Sequence, residues 1–157
     1  MHPNRAARGA IEGLARIEET LSKIYRLFAE RFPADRKLWS LMAQEETTHA
    51  EWVRDLSGHL EDGSVSMDQN RVAEEGVQVF LAYAEDRFKE AQAERLPFRH
   101  ALDMALDLES SLLERNLYQF FKTDSEDMKQ ALKDMQRQIH EHTERIRKAL
   151  TQEKGQG

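Results

Sequence analysis

The chain has 157 residues, of which 39% are apolar and 33% charged, with only 7 Gly and 3 Pro; this is the composition of one helical domain with a substantial core and a heavily solvated surface. Its net charge is −6 and its basic residues are dispersed among acidic ones, so no Lys/Arg stripe offers a nucleic-acid footprint. The absence of cysteine excludes disulfides, thiol catalysis, zinc ribbons and cysteine-ligated iron, and leaves O and N ligands for any metal.

No stretch of 18 apolar residues occurs, so no membrane span is expected. The start, Met1-His2-Pro3-Asn4-Arg5, leads directly into a helical pattern and lacks the apolar core of a signal peptide. The expectation is a cytoplasmic protein.

Five helices are predicted in chain order. The first runs from about Arg5 to Arg31 and is stopped by Pro33. Its stripe is Ile11, Leu14, Glu18, Leu21, Tyr25, Phe28 and Phe32, at three- and four-residue steps. The second spans about Asp35 to Gly58, with the stripe Leu38, Met42, Glu46, His49, Val53 and Leu56. A turn from Gly58 to Met67 leads to a third helix, about Asp68 to Ala93, carrying Val72, Val79, Phe80, Tyr83 and Phe88. The fourth, Phe98 to Phe121, has Leu102, Ala105, Glu109, Leu112, Asn116 and Phe120 in line. The fifth opens at Thr123-Asp124-Ser125-Glu126, a sequence fit for a reciprocal cap between Thr123 and Glu126, and reaches about Thr151. Its stripe is Leu132, Met135, Ile139, His142, Ile146 and Ala149, and Gln152 to Gly157 is expected to fray.

Two links are short, Phe32 to Asp35 and Lys122 to Asp124, which makes the flanking helices antiparallel neighbours. The chain is therefore read as two helical hairpins joined by a long crossover with its own helix. A weak internal repeat supports this: aligning His49 on His142 also sets Met42 on Met135 and Glu51 on Glu144.

Four of these stripes are interrupted near their middle by a metal-capable side chain. One such residue reads as a boundary glutamate or a hydrogen-bonded core histidine. Four at matching depth are harder to dismiss, because an unpaired carboxylate is costly to bury. Glu46 and His49, one turn apart, diverge little around the helix and can hold one ion. His140 points roughly away from His142. Glu19, Glu45, Glu141 and Glu144 read as solvated flanks, His59 and His100 as surface residues, and Trp39 and Trp52 as packing.

In the order and spacing of Ile17-Glu18-Glu19 with Tyr25, Glu45-Glu46-Thr47-Thr48-His49-Ala50-Glu51, Leu106-Asp107-Leu108-Glu109 and Glu141-His142-Thr143-Glu144-Arg145, the chain resembles the ferritin-like di-iron carboxylate superfamily. More closely it resembles the rubrerythrin branch of that superfamily.

The resemblance implies an all-α, ferritin-like four-helix bundle over the whole chain. It implies metal ligation by Glu18, Glu46, His49, Glu109 and His142, with Tyr25 as a hydrogen-bonding neighbour of the metals. The implied cofactor is iron, one or two ions, with manganese or zinc as alternatives. The implied activity is oxidation–reduction on hydrogen peroxide or dioxygen, with electrons from an external donor protein, in a homodimer.

The chain departs from the family pattern at three points. Ile139 stands at the Glu position of the second Glu-x-x-His, Leu112 stands where an extra glutamate often follows the third-helix ligand, and the cysteine-bearing rubredoxin module is absent. What remains is a five-ligand variant. Its three carboxylates carry −3 with both imidazoles neutral, so two divalent cations leave +1 and one leaves −1. A non-enzymatic metal-binding or storage bundle, and a degenerate helical interaction protein without metal, are the alternatives.

Overall fold

Apolar stripes at helical spacing become helices in the computed structural model, which describes residues 5–68 and 70–156. They are α1 (Arg5–Arg31), α2 (Arg36–Asp62), α3 (Asn70–Ala93), α4 (Phe98–Arg115) and α5 (Glu126–Gln156). Among the described residues the fold is all-helical but for two three-residue strands, β1 (Val65–Met67) and β2 (Phe121–Thr123). Among the described residues no helix is long and apolar enough to cross a membrane. The expectations for Met1–Asn4 and Gly157 lie outside the described residues.

The first hairpin follows the sequence closely. Pro33 cannot donate a backbone N–H, so α1 stops and one 3₁₀ turn, Pro33–Asp35, starts α2. The second helix ends later than expected. Gly58 is helical, and Gly63 is the stop, in the left-handed conformation at φ 82°. The burial of Leu56 and Leu60 outweighs the small helix cost of a glycine at position 58.

The second hairpin differs more. α4 ends at Arg115, because Asn116 adopts the left-handed conformation at φ 43°. A 3₁₀ turn, Leu117–Phe120, and strand β2 follow where helix was expected. β1 pairs antiparallel with β2, Val65 opposite Thr123 and Met67 opposite Phe121. This clips the α2–α3 connection onto the α4–α5 connection. Thr123 is held in the strand, so the expected Thr123–Glu126 cap does not form. Ser125 Oγ accepts from Met128 N at 3.3 Å instead, and Thr123 Oγ1 accepts from Ser125 N at 3.1 Å. The expected frayed tail is also corrected, since α5 remains helical to Gln156.

α1 packs closely against α2 and α3, and α4 against α5. Ser22 Oγ donates to Ala43 O at 2.9 Å across the α1–α2 contact. Along α3 the approach depends on small residues: Ala7, Ala10, Ala73 and Ala84 are buried, and a Cβ on Gly13 would overlap Val77. α1 and α3 finish at the same end, where Arg31 Nη1 donates to Glu94 O at 2.9 Å and Nη2 to Gln92 O at 3.2 Å. That end is sealed by Trp39, whose ring centroid lies 5.8 Å from Tyr25, 5.0 Å from Phe28 and 6.4 Å from Phe98.

Candidate metal centre

Four helices each send a metal-capable side chain into the core. Glu18 comes from α1, Glu46 and His49 from α2, Glu109 from α4 and His142 from α5. Their relative exposures are 0, 1, 4, 0 and 0%. Each sits in line with the apolar residues of its stripe, so the hydrophobic face that drives each helix inward carries the polar group with it. All five residues singled out from the sequence are therefore brought to one place.

They form two clusters that share Glu46. One is Glu18, Glu46 and His49, the other Glu46, Glu109 and His142, and in each the donor atoms lie within 4.8 Å of one another. His49 Nδ1 is 3.6 Å from Glu46 Oε2 and 3.7 Å from Glu18 Oε2. His142 Nδ1 is 2.8 Å from Glu46 Oε1 and 3.4 Å from Glu109 Oε1. The imidazole rings are stacked, with centroids 6.0 Å apart.

A second layer fixes this arrangement. Tyr25 Oη donates to Glu109 Oε1 at 2.7 Å, and Tyr118 Oη donates to Glu18 Oε1 at 2.8 Å. Each outer carboxylate thus has one oxygen held by a phenol. The outward ring nitrogens are held too: His49 Nε2 meets the Gln138 side-chain oxygen, and His142 Nε2 lies 2.6 Å from Glu45 Oε2.

Tyr25 was legible as a neighbour of the centre. Tyr118 was not, because it lies on the 3₁₀ turn after α4, where helical spacing does not predict direction. The sequence reading of Glu45 as a solvated flank is corrected: it is partly buried between His142 and Arg145, whose Nη1 is 3.3 Å from Glu45 Oε1. Among the remaining flank and surface assignments, His140, Glu141, Glu144 and His100 are exposed, and Glu19 and His59 are half-buried, beside Arg54 and Asp62. Ile139 and Leu112 are buried.

Most inward atoms make no well-directed hydrogen bond and meet one another only as the ion pairs above. These are Glu18 Oε2, both oxygens of Glu46, His49 Nδ1 and Glu109 Oε2. Orphaned buried polar atoms are rare and expensive. Five of them converging on one layer are what a site for cations would leave.

Electrostatics in the metal-free protein follow from this crowding. Burial pushes the Glu46 carboxyl well above the usual range, and the charges of Glu18 and Glu109 push it the same way. Burial would also raise Glu18, but the Glu46 carboxyl and the His49 imidazole close beside it, with the hydrogen bond from Tyr118, bring it down to about 2. Burial would lower both histidines. The carboxylates around them win, holding His49 up at about 11 and His142 at about 12. Burial and then the nearby carboxylates push both phenols, Tyr25 and Tyr118, well above their ordinary value. Imidazolium protons thus stand in for cations, and divalent ions would have to displace them.

No protein-family model, no curated protein and no solved structure matches the chain. Function is therefore read from the site itself.

Proposed function

We propose that this protein is a ferritin-like, rubrerythrin-like metalloprotein whose two clusters, with Glu46 common to both, would hold a pair of divalent cations. The observation that carries this is the Glu46 carboxyl, buried and shared by two Glu/His groups, with no well-directed hydrogen bond to either oxygen although His142 Nδ1 lies 2.8 Å from Oε1. The donor set fits. Carboxylates and neutral imidazoles suit iron, manganese or zinc, and the outward hydrogen bonds of both histidines leave Nδ1 facing the carboxylates.

Iron bound here would supply one-electron chemistry toward hydrogen peroxide or dioxygen. Reducing peroxide to two waters consumes two electrons and two protons. These 157 residues include no cysteine for an electron-transfer cluster, so the electrons would come from an external donor. Tyr25 and Tyr118 keep their protons and hold Glu109 and Glu18 in place. The apolar residues in line with the ligands exclude bulk water. A homodimer is part of the proposal by the family resemblance alone.

Storage or structural metal binding without turnover is the second reading, favoured by Ile139 in place of a fourth core carboxylate. The two are separated by reconstituting the protein with ferrous iron under anaerobic conditions. Elemental analysis should show bound iron that is strongly reduced in both Glu46→Ala and His49→Ala and nearly unchanged in His140→Ala. Peroxide should then oxidise the ferrous protein in a fast stoichiometric step, with turnover only when a reductant is added. Unchanged iron in both ligand variants would overturn the site, and ferrous protein inert to both oxidants would leave the storage reading.

A further inference from the structure

The two halves of the centre are not equivalent. Behind His142 stands a carboxylate, Glu45, 2.6 Å from Nε2 and itself 3.3 Å from the Arg145 guanidinium. Behind His49 stands a neutral amide, Gln138. Both partners orient a ring, but a carboxylate also raises the donor strength of the nitrogen that faces the cation. Losing such a partner typically costs about 10–100-fold in metal affinity.

Access differs as well. A cleft of about 170 Å³ lies between α2 and α5, lined by Thr48, Trp52, Ala131, Met135 and Gln138 together with His49. The His49 side chain is 5% exposed and that of His142 is 0%. Two larger clefts, on the α3–α4 and α1–α3 sides, are lined by none of the five centre residues. The half of the centre at His49 therefore adjoins the surface and the half at His142 is sealed.

We propose that the cation positions are unequal: the one framed by Glu46, Glu109 and His142 fills first and retains its ion, with Glu45 as its positioning residue, and the one framed by Glu18, Glu46 and His49 exchanges its ion through the α2–α5 cleft. This rests on the reading of the centre as a two-cation site. The distinction would decide which half carries a replaceable ion.

The test is titration of the full-length, metal-free protein with Co2+ under anaerobic conditions, followed by calorimetry and visible absorption. The wild type should bind in two resolved steps. Glu45→Gln should weaken the tighter step by about 10–100-fold and alter its absorption band, with the weaker step little changed. Gln138→Glu should act oppositely, strengthening the weaker step and narrowing the gap. A merely structural role for these side chains would not predict opposite shifts. Ala131→Trp, which fills the cleft, should slow both uptake and chelator extraction of the weaker ion while leaving the tighter step's affinity unchanged. A single binding step, equal weakening of both steps by Glu45→Gln, or no response of the weaker step to Gln138→Glu would overturn the proposal. Wild-type protein that takes up no Co2+ would overturn the two-cation reading beneath it.

Discussion

Glu46 holds a carboxyl group 1% exposed between two other carboxylates, and burial with like-charge repulsion drives it toward the protonated form. A neutral amide of the same shape should therefore be tolerated when no cation is bound. Glu46→Gln is expected to change metal-free stability by no more than about 1 kcal/mol while removing most of the stabilisation that Mn2+ confers. Thermal melts with and without Mn2+ check this; a Glu46→Gln protein that responds to Mn2+ like the wild type would remove Glu46 from the ligand set.

The histidines set a pH dependence. Their folded values of about 11 and 12 exceed the ordinary 6.5, so the stability they contribute is complete below about pH 6.5 and is lost as pH rises toward those values. The metal-free protein should melt at progressively lower temperature from about pH 6 to about pH 9. Glu18, held down at about 2, works in the other window: its contribution is present above about pH 4.5 and is lost as pH falls through about 2. A cation bound by these groups would displace imidazole protons, so the gain in melting temperature from Mn2+ should grow with pH over the same upper range. A metal-free melting temperature that does not vary between pH 6 and 9 would contradict this electrostatic account. Glu18, Glu46, His49, Glu109 and His142 were all visible in the sequence as polar interruptions of apolar stripes. Tyr118 and Glu45 were not, because one lies on a 3₁₀ turn and the other on the rim of its helix.

The α1–α3 contact shows what governs a helix pair. A Cβ on Gly13 would overlap Val77, a β-branched side chain that is itself buried. A Cβ on Gly9 would meet only the end of the Glu74 side chain, which can swing away. Gly13→Ala should thus lose about 1–3 kcal/mol to overpacking. Gly9→Ala should gain about 0.5–1 kcal/mol from helix propensity. Denaturant unfolding of the two variants measures the contrast, and equal effects would mean that α3 does not approach α1 as closely as described.

On α5, Ile139 lies one turn before His142 and is 2% exposed. Ile139→Glu should cost about 2 kcal/mol of buried aliphatic surface without metal, plus repulsion from the nearby acids. With divalent cation the loss should shrink or reverse, and bound metal per chain should not fall. Equal destabilisation with and without cation would show that position 139 does not face the centre. The helices themselves were legible because their stripes are long and periodic. Their ends were less so: a left-handed stop can fall at any of several Gly or Asn positions, as Gly58 and Gly63 show, and the three-residue strand pair depends on pairing between segments distant in sequence.

At the scale of the whole molecule, the centre ties α1, α2, α4 and α5 together, so a cation that binds only the folded state should stabilise all four at once. At one hundred times its dissociation constant a ligand adds about 2.7 kcal/mol. For a chain of this size that corresponds to a rise of about 5–10 °C in melting temperature. Scanning calorimetry with Mn2+, then with excess chelator, should show the rise and its reversal. A melting temperature indifferent to Mn2+, Fe2+, Co2+ and Zn2+ alike would leave the buried carboxylates without the compensation argued for them.

By itself the sequence determined that the chain is all-helical, where the first hairpin turns, and which side chains interrupt the apolar faces, because each of these follows from local periodicity and from residues such as Pro33 that act on their immediate neighbours. Only the tertiary structure decided that Glu46 is shared by two clusters, that Tyr25 reaches Glu109 on another helix while Tyr118 reaches Glu18, and that His49 and His142 have different partners behind them. Those facts depend on how far apart the helices pack and how each is rotated. Both are set by the small residues of the α1–α3 contact, the aromatic cluster at Trp39 and the β1–β2 clip, acting between segments far apart in the chain.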